Sequence, residues 1–217
     1  MFRDHALQFG FFLDEEHFAR VSALPPNDPS RPCDAMIAVA CLWGCHFSPP
    51  GSPLRSIEVL VLAAALHDRA VNLIRQETNA RRVLHILQAE ILLAYYYLRQ
   101  GILIEAQIHA NTAASIARGS GLHGAYAAER QAPRELWVSA RESSYLPAPR
   151  NAPESGELIN GFWATYVLVQ HMTSFSPTLD NDYGMSALQI DCPWPLSTQS
   201  YRDVCVLKLH RQALSDL

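Results

Sequence analysis

Apolar residues along the chain recur at three- and four-residue spacing, and no useful stretch alternates apolar with polar. The pattern predicts helices and no sheet. A short amphipathic segment opens at Phe9-Gly-Phe-Phe-Leu and breaks at the proline connector Leu24 to Pro32. Asp34 is placed to cap a helix through Met36, Ile37, Ala40, Cys41 and Trp43, with Gly44 and then Pro49-Pro50-Gly51 ending it. Ser52-Pro53 reads as the next start, because Ser supplies a cap oxygen and Pro loses no hydrogen bond there. Ile57, Leu60, Val61, Ala64, Ala65, Asp68, Val71 and Leu73 then predict one continuous face, to about Glu77.

The stretch 79–123 is the most informative. After Asn79 a helix is one-sided through Val83, Leu84, Ile86 and Leu87, then apolar or aromatic all round from Ile91 to Leu98. A helix apolar on every side is buried on every side, so this predicts the central element. Gly101 suits the left-handed turn that closes it. The following helix carries Ala106, Ala110, Ala113, Ala114 and Ala117, small residues that let two backbones approach closely. The pair predicts an αα-hairpin at about 81–118, with Gly119 and Gly121 stopping its second arm.

Residues 129–155 carry four prolines among Arg and Glu and read as a linker. A strong helix is expected from Glu154 or Ser155, with Leu158, Ile159, Phe162, Trp163, Tyr166, Val167 and Val169 as its stripe. An irregular stretch ends in Ile190-Asp-Cys-Pro-Trp-Pro-Leu196. Ser200-x-x-Asp203 then starts a last amphipathic helix to Leu214. The expected fold is all-α: an irregular multi-helix bundle on a central buried hairpin. Its parts are an N-terminal segment and connector (1–33), a helical core (34–128), the linker (129–155) and C-terminal helices of the same domain (156–217).

Composition narrows the functional classes. The net charge is -4, and of 17 basic residues only Lys208 is lysine. The arginines are scattered, so no basic stripe or import run points to direct DNA binding. Apolar runs are too short to span a membrane. The five cysteines have no framework or zinc-knuckle spacing and are expected as reduced, mostly buried thiols.

Candidate chemistry is sparse. Gly119-Ser-Gly121 follows a helix and reads as a cap rather than a phosphate loop. Glu105 and His109, one turn apart, could form an acid–base pair or half a metal site, but a surface or inter-helix hydrogen bond is the preferred reading. His85 and His171 read as satisfied core or boundary residues. Tyr95, Tyr96 and Tyr97 read as central packing with hydroxyls reaching polar partners rather than as a pocket wall. No catalytic constellation emerges, and the chain is not expected to be an enzyme.

The residues do resemble a family. Leu87-Gln-Ala-Glu-Ile-Leu-Leu-Ala-Tyr-Tyr-Tyr-Leu-Arg-Gln-Gly101, with Glu105 and the close in Gly121-Leu-His123, is similar to the regulatory middle homology region of fungal-specific transcription factors. Phe11-Phe-Leu with His17-Phe18, Leu42-Trp-Gly44 and Gly161-Phe-Trp-Ala-Thr-Tyr-Val-Leu168 leading to Ile190–Pro195 resemble it too, in order, over about 9–196. The resemblance marks Trp43, Gly44, Gln88, Glu90, Tyr95, Gly101, Glu105, Gly121, Leu122, His123, Phe162, Trp163, Asp191 and Pro193 as motif residues, mostly structural. Gln170-His171 stands where the family has Asp and a basic residue, and Ser174-Phe-Ser-Pro177 where it has a Gly-x-Pro turn.

The resemblance implies a nuclear regulatory domain that senses a small-molecule effector or protein partner. It implies DNA contact only through a six-cysteine zinc cluster, which is missing from this sequence, so no zinc or other cofactor is expected in this chain. It also implies a functional protein longer than 217 residues. On that basis the last helix, with Tyr201, Val204, Leu207 and Leu214 on one face, is expected to stay exposed and promote self-association. The alternative reading is a free-standing helical interaction module of repeat type, although no second copy recurs at the repeat period.

Overall fold

Helix α5 (Ala80–Arg99) is buried almost without interruption from Leu84 to Tyr97, and the other helices are laid around it. This is a computed structural model, and it describes residues 4–74, 80–124, 146, 149–175 and 190–203. Among the described residues there are helices and no strand, so the all-α expectation holds. No described helix is long and apolar enough to cross a membrane.

The chain enters through a 3-10 turn (Ala6–Phe9) and an extended stretch, Gly10 to Leu13, that lies on α5. Helices α1 (Glu15–Ser22), α2 (Asp34–His46), α3 (Pro53–Ser56) and α4 (Glu58–Ile74) follow. Helix α6 (Leu103–Gly119) folds back on α5 as the predicted hairpin, with Gly101 at φ +75° in the turn. Its five alanines are all buried, which is how the two backbones come together. Helix α7 (Ala152–Phe175) packs on α6 and α5, and α2 is held between α4 and α5. The last described helix, α8, begins at 198 and is described to 203.

Trp43 sits at the centre of the α2–α5 contact, fully buried, its Nε1 donating to the Leu92 carbonyl at 3.2 Å. Phe9 stacks on its ring at 4.2 Å. Full burial of large side chains such as Trp43, Phe162, Leu92 and Leu168 contributes about 1.5–3 kcal/mol each.

Several boundaries differ from the sequence expectation. The first amphipathic segment is divided in two: Asp14 accepts the His17 N–H at 2.8 Å and caps α1, so the Gly10–Leu13 stretch is left extended. Asp34 is not the cap of α2. Cys33 holds that position, and Asp34 instead pairs with Arg31 at 2.8 Å. Gly44 does not end α2, which runs on to His46. The effective stop is the following proline pair, and glycine is tolerated within the last turn.

The face predicted for α4 is partly wrong. Ser52 and Pro53 do start a helix, Ser52 accepting the Leu54 N–H at 3.2 Å, but it breaks at Ile57. Beyond the break Glu58 is turned inward, 2.8 Å from His46 and 3.0 Å from Arg55, and takes the Tyr96 hydroxyl at 2.9 Å. Burying that carboxylate rotates the helix, so Ala65 is buried and Val61 half-buried while Leu60 and Ala64 face out. The expected continuation to Glu77 lies outside the described residues.

Helix α7 begins earlier than predicted. Asn151 accepts the Glu154 N–H at 2.9 Å and the helix starts at Ala152, so Pro153 belongs to a helical first turn and not to the linker. Residues 129–145 and 147–148 of the predicted linker lie outside the described residues; Leu146 packs against the core. Val167, assigned to the buried stripe, is exposed.

Ser197, not Ser200, caps α8, accepting the Ser200 N–H at 3.1 Å. Tyr201 is buried, its ring against Gly156 of α7 and its hydroxyl accepting the Leu196 N–H at 3.2 Å. As far as it is described, this helix folds back on α7 instead of leaving its stripe exposed. Val204, Leu207 and Leu214 lie outside the described residues.

Candidate functional site

The motif residues are joints between elements. Gln88, fully buried on α5, takes the Phe12 N–H on its Oε1 at 2.6 Å and donates its Nε2 to the Gly10 carbonyl at 3.1 Å. One side-chain amide therefore satisfies an N–H and a carbonyl of a stretch that has no helix hydrogen bonds to use them. Glu90, also fully buried, accepts Arg69 Nε at 2.5 Å and His109 Nδ1 at 2.7 Å, joining α4, α5 and α6. Tyr97 stacks on the His109 ring.

Glu105 and His109 form no acid–base pair, and the preferred reading, an inter-helix hydrogen bond, holds for His109. Glu105 is exposed, while His109 turns inward to Glu90. Spacing along one helix put them on a common face, but the stronger demand came from the buried carboxylate on the neighbouring helix. Tyr95 reaches His171 at 3.1 Å and Tyr96 reaches Glu58, as packing with polar partners requires.

The remaining motif residues close the lower end of the molecule. Gly121 has φ +70° and Leu122 is buried. The His123 carbonyl accepts the Asp191 N–H at 2.9 Å. Trp163 Nε1 donates to the Pro193 carbonyl at 2.6 Å, and Trp194 stacks on the Trp163 ring at 4.6 Å. Phe162 is fully buried, and Gly161 brings α7 against the Phe12 ring. Of the cysteines described, Cys33 and Cys45 are buried, Cys192 is half-buried and Cys41 is exposed, contrary to expectation; Cys205 lies outside the described residues.

None of these motif residues lines the cleft or the small chamber described next. The cleft lies elsewhere, where α1, α5 and α7 all begin and α8 crosses them. It measures about 380 Å³ and is lined by Asp14, His17, Arg20, Arg81, Glu154, Glu157 and Arg202 among others. Each helix presents two residues on one face: His17 and Arg20 on α1, Arg81 and His85 on α5, Glu154 and Glu157 on α7. Arg202 of α8 grips both oxygens of Asp14 and reaches Glu16 at 2.5 Å.

The inner end of the cleft is the unusual part. A small chamber, with room for about one water-sized group, is lined by Leu13, Phe18 and Val21 together with Asp14, His17, Arg81, His85 and Glu157. His85 is buried there and its Nδ1 has no hydrogen-bond partner among the described residues, where a satisfied core histidine was expected. Burial, with Arg81 and Arg82 nearby, pulls its pKa down to about 3, and the ring is neutral. Glu157 is also buried. Among the described residues it accepts a single hydrogen bond, the Asp14 N–H at 3.1 Å, and burial pushes its carboxyl above the ordinary range.

At the outer end Arg20 Nη2 lies 2.9 Å from His17 Nδ1 and Arg81 Nη1 lies 2.5 Å from His17 Nε2. Burial and the two arginines lower the His17 pKa, and a neutral imidazole has one lone-pair nitrogen. It can accept from only one of the two guanidiniums. Burial alone would raise the Asp14 carboxyl, but Arg202 and the His17 N–H hold it below its usual value. Among the described residues no group of His, Cys, Asp and Glu is placed to hold a metal ion.

Sequence reasoning did not find this cleft. The i, i+3 and i, i+4 pairs were visible, but three helix starts far apart in the chain had to be brought together before they formed a site. No protein-family model, curated protein or solved structure matches the chain.

Proposed function

We propose that the chain is a regulatory, effector-sensing domain of the fungal transcription factor type, acting in the nucleus on transcription by RNA polymerase II. One observation carries this reading. The four stretches on which the resemblance rests, far apart in sequence, meet around α5: Phe12 through Gln88, Trp43 through Leu92, and Gly161 through the Phe12 ring. Stretches that recur in order and also build one core are more telling than any one motif. The cleft of buried, incompletely satisfied groups supplies a place for an effector. DNA contact is assigned to a separate module, and no zinc or other cofactor to this chain.

Tethering tests this. The chain fused to a heterologous DNA-binding domain should change the output of a fungal reporter several-fold, in either direction. Leu92→Asp, which buries an unpaired carboxylate in the centre of α5, should erase the effect. Output equal to that of the DNA-binding domain alone overturns the reading.

The protein-partner form of the same function draws on α4. Val59 and Leu60 are 75% and 70% exposed, beside Leu54 and Ile57. A contiguous apolar face of this kind is a feature of interaction surfaces.

A further inference from the structure

We infer that the cleft at the meeting of α1, α5 and α7 binds a small amino-acid-like zwitterion, its ammonium in the inner chamber and its carboxylate at the outer rim. The inference rests on the effector-sensing reading above and names the chemical class of the effector.

The inner chamber sets the first half of the assignment. It admits one group of about the size of water, and its polar wall offers acceptors. Glu157 has acceptor capacity left after its single bond to the Asp14 N–H. His85, neutral and buried, can present an Nδ1 lone pair when Nε2 carries the proton. A primary ammonium is the small group with three donors, and it brings a hydrogen-bonded positive charge to a buried carboxylate on which Arg81 acts without a hydrogen bond among the described residues. A lone water would satisfy the same atoms but would add no positive charge to that of Arg81 beside Glu157.

The rim sets the second half. Arg20 and Arg81 flank an imidazole that can accept from only one of them, and Arg20 is the exposed member. A carboxylate placed there takes the leftover donor in the bidentate geometry that guanidinium favours. The cleft volume of about 380 Å³ lies within the range of small-molecule sites.

The test is calorimetry and thermal shift on the full chain with the proteinogenic amino acids, each compared with its N-acetyl and its carboxamide form. At least one free amino acid should bind and raise the melting temperature, with either cap weakening it about tenfold or more. His85→Leu removes an unpaired buried nitrogen, so it should raise the urea midpoint while losing the ligand. Arg20→Gln, at the exposed rim, should leave the midpoint unchanged and weaken binding several-fold. No binding by any amino acid, equal binding of N-acetyl forms, or full affinity in His85→Leu overturns the assignment. Its failure is distinguishable from that of the regulatory reading. A chain that moves the tethered reporter but ignores every amino acid loses only the ligand class, and a chain that binds one without reporter effect loses only the regulatory role.

Discussion

Arg202 and Asp14 stand 188 residues apart in the chain and are joined at two points, the guanidinium of one closing on both carboxylate oxygens of the other. Asp14 also caps α1, so one carboxylate fixes a helix start and anchors α8. The pair is half-open to solvent, which limits its contribution to about 1 kcal/mol. Arg202→Met should cost about that much, and less at high salt. Asp14→Ala should cost ~2 kcal/mol, because the cap is lost with the ion pair. A double-mutant cycle in urea separates the two contributions, and a coupling energy near zero would show that the pair is decorative.

Gln88 is expected to be the least replaceable polar residue in the core. Gln88→Leu keeps the volume but strands the Phe12 N–H and the Gly10 carbonyl, at a cost of about 2–4 kcal/mol. Amide exchange at Phe12 should rise by orders of magnitude relative to core amides of α5. An unchanged Phe12 rate would mean the stretch is held by packing alone.

The Glu90 joint should respond asymmetrically. Glu90→Gln leaves Arg69 and His109 facing a weaker acceptor in a buried setting and should destabilise the fold by roughly 2–4 kcal/mol. Replacing all three residues with apolar ones of similar volume should cost less than that single change. The comparison of urea midpoints for the two variants decides it.

Acid sensitivity is expected to centre on His85. The unfolded chain protonates this ring near pH 6.5, the fold only near about 3, so between those values the unfolded state holds the extra proton. Stability is full above the upper value and falls as pH drops through the window, by on the order of 4 kcal/mol. His17 and Asp14, both depressed, act in the same direction. Glu157, raised by burial, acts oppositely: its contribution is present at low pH and lost as pH rises. His85→Leu should flatten the acid limb of a stability-versus-pH curve, and Glu157→Gln should steepen it. An unchanged slope in His85→Leu would remove this account.

Local rules were legible wherever one helix decided the outcome. The all-round apolar run Ile91–Leu98, the Gly101 turn and the alanine stripe of α6 each follow from residues within a few turns of one another. Errors arose where another element imposed its own demand. Glu58 entered the core because His46, Arg55 and Tyr96 receive it there, and the rotation exposed Leu60 and Ala64. His85 looked like an ordinary core residue, since periodicity reports burial but cannot report a missing partner.

The clasp between Asp14 and Arg202 also bears on the order of events during synthesis. The α5–α6 hairpin involves neighbouring helices and can form once about 120 residues have left the ribosome, because local contacts carry a small loop-closure cost. The Asp14 N–H finds Glu157, 143 residues further along the chain, only once α7 has begun, and α8 arrives later still. A nascent chain therefore carries the hairpin before α7 has arrived to complete the core and wall the cleft. During that interval the His85 imidazole is still in water, and the α7 residues that wall its chamber arrive after the hairpin has formed.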